Sequence, residues 1–175
     1  MSKSKLTTSV LTQIAIAVAA IIVGGYAIYI VSSQIPLPGM KYTAMSPYLS
    51  LIIAILLISF DIKNIILIVN AVFAMLMSII SPYMGLSILS TGILTQLVDY
   101  LIPSGLKYRV HIVSASYSSF VAGTALTVSK LFIDSVVFER ISGPYLLVLM
   151  GIAFVLGLFG AHFGIIIGKR VRKQN

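Results

Sequence analysis

The residues best suited to bind a solute lie in one hydrophobic stretch, 108–134, where hydroxyl groups and a lysine interrupt an apolar run. At about 3.6 residues per turn, one side of this helix is predicted to carry Ser116, Phe120, Gly123, Thr127, Lys130 and Asp134. The other side carries Val121, Ala125, Val128 and Phe132. A charged group at a membrane-helix centre costs about 2.5–3.5 kcal/mol on insertion scales. We therefore expect Lys130 to face the protein interior or the nearer membrane surface.

Hydroxyl, tyrosine and lysine side chains also occur near the ends of other hydrophobic runs. The six-span topology described in the next paragraph brings these ends to one side of the membrane. Together they form a predicted substrate pocket of Lys41, Tyr42, Tyr83, Ser87, Thr91, Thr127, Lys130 and Tyr145. Small-molecule pockets are mostly apolar with a few oriented polar groups, and a lysine there could meet a carboxylate or phosphate of the ligand. The alternative is that the tyrosines form an interfacial belt and that Lys130 snorkels or pairs with Asp134.

Six hydrophobic runs position these side chains, and each is long enough to cross a bilayer, which takes roughly 17–25 helical residues. They occupy 9–31, 43–60, 62–80, 83–102, 108–133 and 144–168. Only 9% of the 175 residues are charged, against about 25% in soluble domains. No linker divides the chain. The sequence therefore predicts an all-α integral membrane bundle of six transmembrane helices, forming a single domain over 1–175.

The distribution of basic residues predicts the orientation of this bundle. The chain has 12 Lys and Arg. Nine of them lie in the tails and the two even-numbered loops: Lys3, Lys5, Lys63, Lys107, Arg109, Lys169, Arg170, Arg172 and Lys173. The opposite side has Lys41 and Arg140, with Lys130 near it. By the positive-inside rule both termini are predicted to be cytoplasmic, in the cell membrane. The same clustering argues against a nucleic-acid partner.

The chain lacks the residues that several classes of chemistry require. There is no cysteine, and only four acidic residues are present. The nucleophile elbow, the zinc-protease helix motif and the phosphate-binding loop are all missing. His111 and His162 do not have the close spacing of metal ligands, and they are interpreted as an interfacial residue and an interhelical hydrogen-bonding residue. We expect no enzyme activity, no cofactor and no bound metal.

Small residues predict where helices approach one another. In the first run, Ala15 and Ala19 form one strip, and a second strip comprises Gln13, Ala17, Ala20 and Gly24. Such strips allow close helix contact in lipid, so one could face the bundle and the other a second protein. In the last run four glycines share one side, namely Gly157, Gly160, Gly164 and Gly168. Asn70 and Gln96 are predicted to make interhelical hydrogen bonds.

These features resemble the substrate-binding S components of energy-coupling factor vitamin transporters. The resemblance rests on the six-span bundle, on Ala15-Ile-Ala-Val-Ala19, and on the glycine-rich last run that ends in Gly168-Lys-Arg-Val-Arg-Lys. It implies that Ala15 and Ala19 dock on a transmembrane coupling subunit driven by two ATPases. It also implies that a small water-soluble vitamin or related nutrient binds near the outer face. Members that take nickel or cobalt begin Met-His, whereas this chain begins Met1-Ser2.

Two other functions remain open from the sequence. One is a self-sufficient small transporter or channel that acts as a homo-oligomer. The other is an assembly subunit that transports nothing. The S-component hypothesis is favoured because the chain has neither a nucleotide-binding motif nor an acidic relay within its spans, so active transport would need energy from a partner.

Overall fold

The protein is an all-α membrane bundle in a computed structural model that describes residues 8–35, 37–60, 62–103, 106–133, 138 and 141–172, with side chains from residue 11 onward. Its helices in these ranges are α1 Thr8–Ser32, α2 Met40–Ser59, α3 Ile65–Ser78, α4 Pro82–Leu101, α5 Arg109–Phe132 and α6 Gly143–Arg172. All of these except α3 are long and apolar enough to cross a membrane. The predicted all-α membrane bundle is therefore confirmed, with five of the six described helices able to span a bilayer.

Helix α3 is shorter than the sequence predicts. The apolar run covers 62–80, but α3 has 14 residues and begins after Asn64, which adopts a left-handed conformation at φ 65°. At 1.5 Å per residue α3 rises about 21 Å, less than the roughly 30 Å hydrocarbon core. Ile79 and Ile80 follow the helix as exposed apolar residues.

The connections between helices define two ends of the bundle. We call the end with the α2–α3 and α4–α5 connections and the last turn of α6 the terminal end, and the opposite end the distal end. Described basic residues of the terminal end are Lys63, Lys107, Arg109, Lys169, Arg170 and Arg172, and those of the distal end are Lys41 and Lys130. Several residues named above lie outside the described residues: Met1, Ser2, Lys3, Lys5, Asp134, Arg140 and Lys173.

The glycines of α6 create the most extensive helix contact of the bundle, which joins α6 to α2. Gly157, Gly160, Gly164 and Gly168 are all buried, as their spacing predicts. A Cβ at Gly160 would overlap the Pro47 carbonyl, and one at Gly164 would overlap the Leu51 carbonyl. The two backbones can approach this closely only because no side chain separates them.

Helix α1 uses one of its two small-residue strips to pack on the bundle. Ala17 is buried, and the Tyr48 ring covers Gly24 so closely that a Cβ there would overlap it. The Tyr48 hydroxyl donates a hydrogen bond to the Ala20 carbonyl at 2.7 Å. The second strip of the sequence therefore faces α2, and Ala15 and Ala19 face away from the bundle, where both are exposed.

Buried polar groups join α2, α3 and α5 in the interior. The Ser50 and Ser118 hydroxyl oxygens of α2 and α5 lie 2.5 Å apart, and Ser118 also donates to the Ser46 carbonyl at 2.8 Å. The Tyr117 hydroxyl donates to Asn70 Oδ1 at 3.0 Å. Asn70 therefore makes the interhelical bond that the sequence predicts. In membranes such bonds contribute about 0.6 kcal/mol on average.

The close α2–α6 contact generates a prediction with a control on the same helix. Gly160→Ala should destabilise the protein by about 1–3 kcal/mol, because the Pro47 backbone must move to make room. Gly151→Ala, where no atom lies within 4 Å of the added Cβ, should leave stability unchanged or raise it by up to about 1 kcal/mol. The measurement is the temperature at which half of the monomer peak is lost in size-exclusion chromatography after heating in detergent. Equal midpoints for the two variants would contradict the prediction.

Candidate functional site

Lys41 is the first charged group of the candidate site at the distal end. It follows the left-handed Gly39 at the start of α2 and is half-buried. Its ammonium group donates a hydrogen bond to the Tyr29 hydroxyl at 2.9 Å and lies 4.6 Å from the centre of that ring. The Tyr42 ring centre is 5.4 Å away. Lys41 thus lies next to the Tyr29 and Tyr42 rings, and these partners are uncharged.

The connection between α1 and α2 is fixed to α6 and α5. The Tyr145 hydroxyl donates a hydrogen bond to the Pro38 carbonyl at 2.7 Å. At Gly39, with φ 83°, the Leu126 and Leu149 side chains occupy the space that a Cβ would need. A residue with a side chain is therefore disfavoured here by both conformation and space. Tyr145, predicted to belong to the pocket, closes this end of the described structure.

A compact apolar cluster fills the space beneath this connection. Its buried members are Leu126, Ile141 and Leu149. Around them pack Tyr42, Phe138, Tyr145 and Leu146. The sequence predicts a substrate pocket near the outer face, and in the described ranges these side chains pack together in that region. We call this packed arrangement of the described residues the closed distal end.

Ser87 and Thr91 belong to a second group, between α4 and α5. The Thr91 hydroxyl lies 2.7 Å from the Thr124 hydroxyl, and the Ser87 hydroxyl lies 3.2 Å from it. Ser87 and Thr91 are both buried. These hydroxyls satisfy one another and the backbone in the closed structure, since Thr91 also donates to the Ser87 carbonyl at 2.9 Å.

The remaining predicted pocket residues lie at the edge of the distal end. Lys130 has an exposed side chain whose ammonium group donates to the Ile141 carbonyl at 2.7 Å. It thus reaches toward the distal end, and its proposed partner Asp134 is not among the described residues. Tyr83 stacks on Phe132 with ring centres 5.1 Å apart, and Thr127 is exposed. The eight predicted residues therefore form separate groups, not one continuous lining.

Two residues that the sequence did not single out complete these groups. Tyr29 binds Lys41, and Thr124 joins Ser87 to Thr91. Thr124 lies four residues after Phe120 on the hydroxyl-bearing helix, so its position was available from the same periodicity. Tyr29 was harder to find, because its contact with Lys41 depends on how α1 turns back into α2.

The comparisons with known proteins leave the family undetermined: no family model, curated protein or solved structure matches the chain. Within the described ranges, no three potential ligands from His, Asp and Glu come together as a metal site. His111 and His162 do approach, with ring centres 6.0 Å apart at the terminal end.

The Tyr145–Pro38 hydrogen bond generates a prediction about opening of the distal end. Tyr145→Phe removes a bond that contributes about 0.5–1.5 kcal/mol, so amide hydrogen exchange in residues 37–43 should accelerate by roughly two- to tenfold. Tyr26→Phe is the control, since Tyr26 is exposed on α1. Hydrogen-exchange mass spectrometry of both variants makes the comparison. Unchanged exchange in Tyr145→Phe would show that the apolar cluster alone holds this connection.

Proposed function

We propose that this protein is the substrate-capture subunit of an ATP-driven importer of the energy-coupling factor type. It would lie in the cell membrane with both termini cytoplasmic and take up a small water-soluble vitamin or related nutrient. The observation that carries the proposal is a division of the molecule. The distal end carries Lys41, Lys130 and buried hydroxyl groups. The half of α1 that lies nearer the terminal end carries the exposed residues Ala15 and Ala19.

The charges of the distal end favour a substrate with an anionic group. Lys41 and Lys130 donate only to a phenol oxygen and a backbone carbonyl in the described part of the chain. A carboxylate or phosphate would form stronger, charge-assisted bonds with them than these neutral acceptors do. The hydroxyls of Ser87, Thr91 and Thr124 supply further donors and acceptors once their mutual bonds are released.

Substrate entry requires the closed distal end to open. The Tyr145–Pro38 and Lys130–Ile141 bonds contribute about 0.5–3 kcal/mol each. Breaking both therefore costs about 1–6 kcal/mol. The contacts that the ligand forms must supply this cost in addition to the roughly 8 kcal/mol that corresponds to a net micromolar affinity.

Asp99, the acidic residue within the described helices, supports the view that active transport by this protein depends on an energy-supplying partner. Asp99 forms an ion pair with Arg109 at 2.7 Å near the terminal end. A carboxylate held in this way is poorly suited to relay protons across the membrane. The exposed alanine strip of α1 offers a partner helix a surface of small side chains, on which close packing replaces the hydrophobic driving force that lipid lacks.

The first test concerns the substrate. Lys41→Gln and Lys130→Gln should each weaken binding of an anionic vitamin by about 10- to 100-fold, as expected for loss of a charge-assisted bond. Lys63→Gln at the terminal end removes the same charge as a control and should change affinity less than twofold. Native mass spectrometry against carboxylated, neutral and cationic vitamins identifies the ligand, and calorimetry gives the affinity. Failure of the wild-type chain to bind any of them would contradict the proposal, as would substrate flux in liposomes containing this chain alone.

The second test concerns the partner. Ala15→Leu with Ala19→Leu should abolish uptake in cells that produce the coupling subunit and ATPases, yet leave ligand affinity within about twofold, because the alanine strip and the distal end are separate. Val31→Leu alters an exposed position on another side of α1 and is the control. Pull-down of the coupling subunit should fail only for the alanine variant. Parallel loss of affinity and uptake would contradict the assignment.

A further inference from the structure

A cleft opens at the terminal end between α2, α5 and α6, away from the candidate solute site. Its volume is about 780 Å³. The walls are apolar, with Leu57 from α2, Val110 from α5 and Ile165 from α6. The rim carries Lys107, Lys169 and Arg172. Three exposed cations thus line the same cleft as these apolar side chains.

The cations of this rim have no acidic partner in the described part of the chain. The one ion pair there joins Arg109 to Asp99 and does not include the rim residues. Lys107 lies with its ammonium group 5.8 Å from the centre of the exposed Tyr108 ring, as is common at a membrane surface. The cleft is therefore electropositive, and an anion would complement it.

A second observation comes from the wall of the cleft itself. His111 lines the cleft, and its Nδ1 is buried without a hydrogen-bond partner. Buried polar atoms are almost always paired, so an unpartnered nitrogen on a residue that lines the cleft is a candidate to bond a group bound there. Neighbouring His162 presents only its ring, at 6.0 Å between centres. Because this nitrogen is inaccessible in the present side-chain arrangement, the His111 ring must turn toward the cleft to bond a polar atom that enters from the rim.

We propose that this cleft binds the phosphodiester headgroup of an anionic phospholipid, with an acyl chain lying along its apolar walls. Basic pockets between membrane helices at the headgroup level suit such lipids, because cations meet the phosphate while hydrocarbon meets hydrocarbon. A free phosphate would satisfy the rim and leave the Leu57, Val110 and Ile165 walls unused. The inference is independent of the proposed transport function.

The test uses two double variants that remove equal charge from the same end of the molecule. Lys169→Gln with Arg172→Gln removes two rim cations. Lys63→Gln with Arg170→Gln removes two cations that do not line the cleft. Native mass spectrometry of the full chain, titrated with phosphatidylglycerol and with phosphatidylcholine of the same acyl chains, gives the affinities.

Wild type should bind phosphatidylglycerol at least tenfold more tightly than phosphatidylcholine. The rim variant should lose about fivefold in phosphatidylglycerol affinity per cation removed, and the control variant less than twofold overall. Equal affinity for the two lipids, or equal losses in the two variants, would overturn the proposal. Displacement of bound phosphatidylglycerol by millimolar inorganic phosphate would also overturn it, by assigning the cleft to a soluble anion.

A further variant keeps the test decisive if the rim variant fails to fold. His111→Phe retains an aromatic ring and removes the unpartnered nitrogen. It should weaken phosphatidylglycerol binding by about tenfold or more, the value for a hydrogen bond to a charged group, and leave phosphatidylcholine binding unchanged. Unchanged phosphatidylglycerol affinity in a well-folded His111→Phe protein would contradict the role of His111 and with it the proposed site.

Discussion

The close contact between Gly160 of α6 and the Pro47 carbonyl of α2 is the constraint on which the rest of the bundle depends. It brings two long membrane helices to backbone contact without intervening side chains. Pro47 has no amide proton, so α2 already lacks one internal hydrogen bond at this level. The glycine face of α6 covers that part of α2 and excludes lipid from it. Once these helices are fixed, α5 packs against both of them.

The candidate solute site and the proposed lipid cleft lie at opposite ends of this contact. At the distal end α2 and α6 deliver Lys41 and Tyr145, with Leu126 of α5 between them. At the terminal end, residues of the same three helices line the cleft with its basic rim. One set of helices therefore builds a tightly packed end and an open end. Among the described residues, Leu126 and Leu149 pack together at the distal end, whereas the side chains that line the cleft leave space between them.

Much of the fold could be predicted from the sequence, and the site only in part. The helices could be predicted from the length of the hydrophobic runs. The packing role of the α6 glycines and the interhelical bond of Asn70 could be predicted from residue spacing along a single helix. The closed distal end depends on how side chains from three helices meet, and no local pattern encodes this. Gln96 is instructive, since its amide bonds Asp99 of its own helix at 3.4 Å where an interhelical bond was predicted. His162 similarly meets a ring where a hydrogen bond was predicted.

The brevity of α3 has a consequence for the surrounding lipid. A helix of 14 residues rising about 21 Å cannot match a 30 Å hydrocarbon layer, while its neighbour α4 has 20 residues. Lipid beside α3 must compress, or its headgroups must dip toward the helix ends, at a fraction of a kcal/mol per Å of mismatch. The mismatch therefore favours a bilayer that is thinner along the flank of α3. Membranes with shorter acyl chains relieve that deformation, so bilayer thickness influences how the molecule sits and tilts.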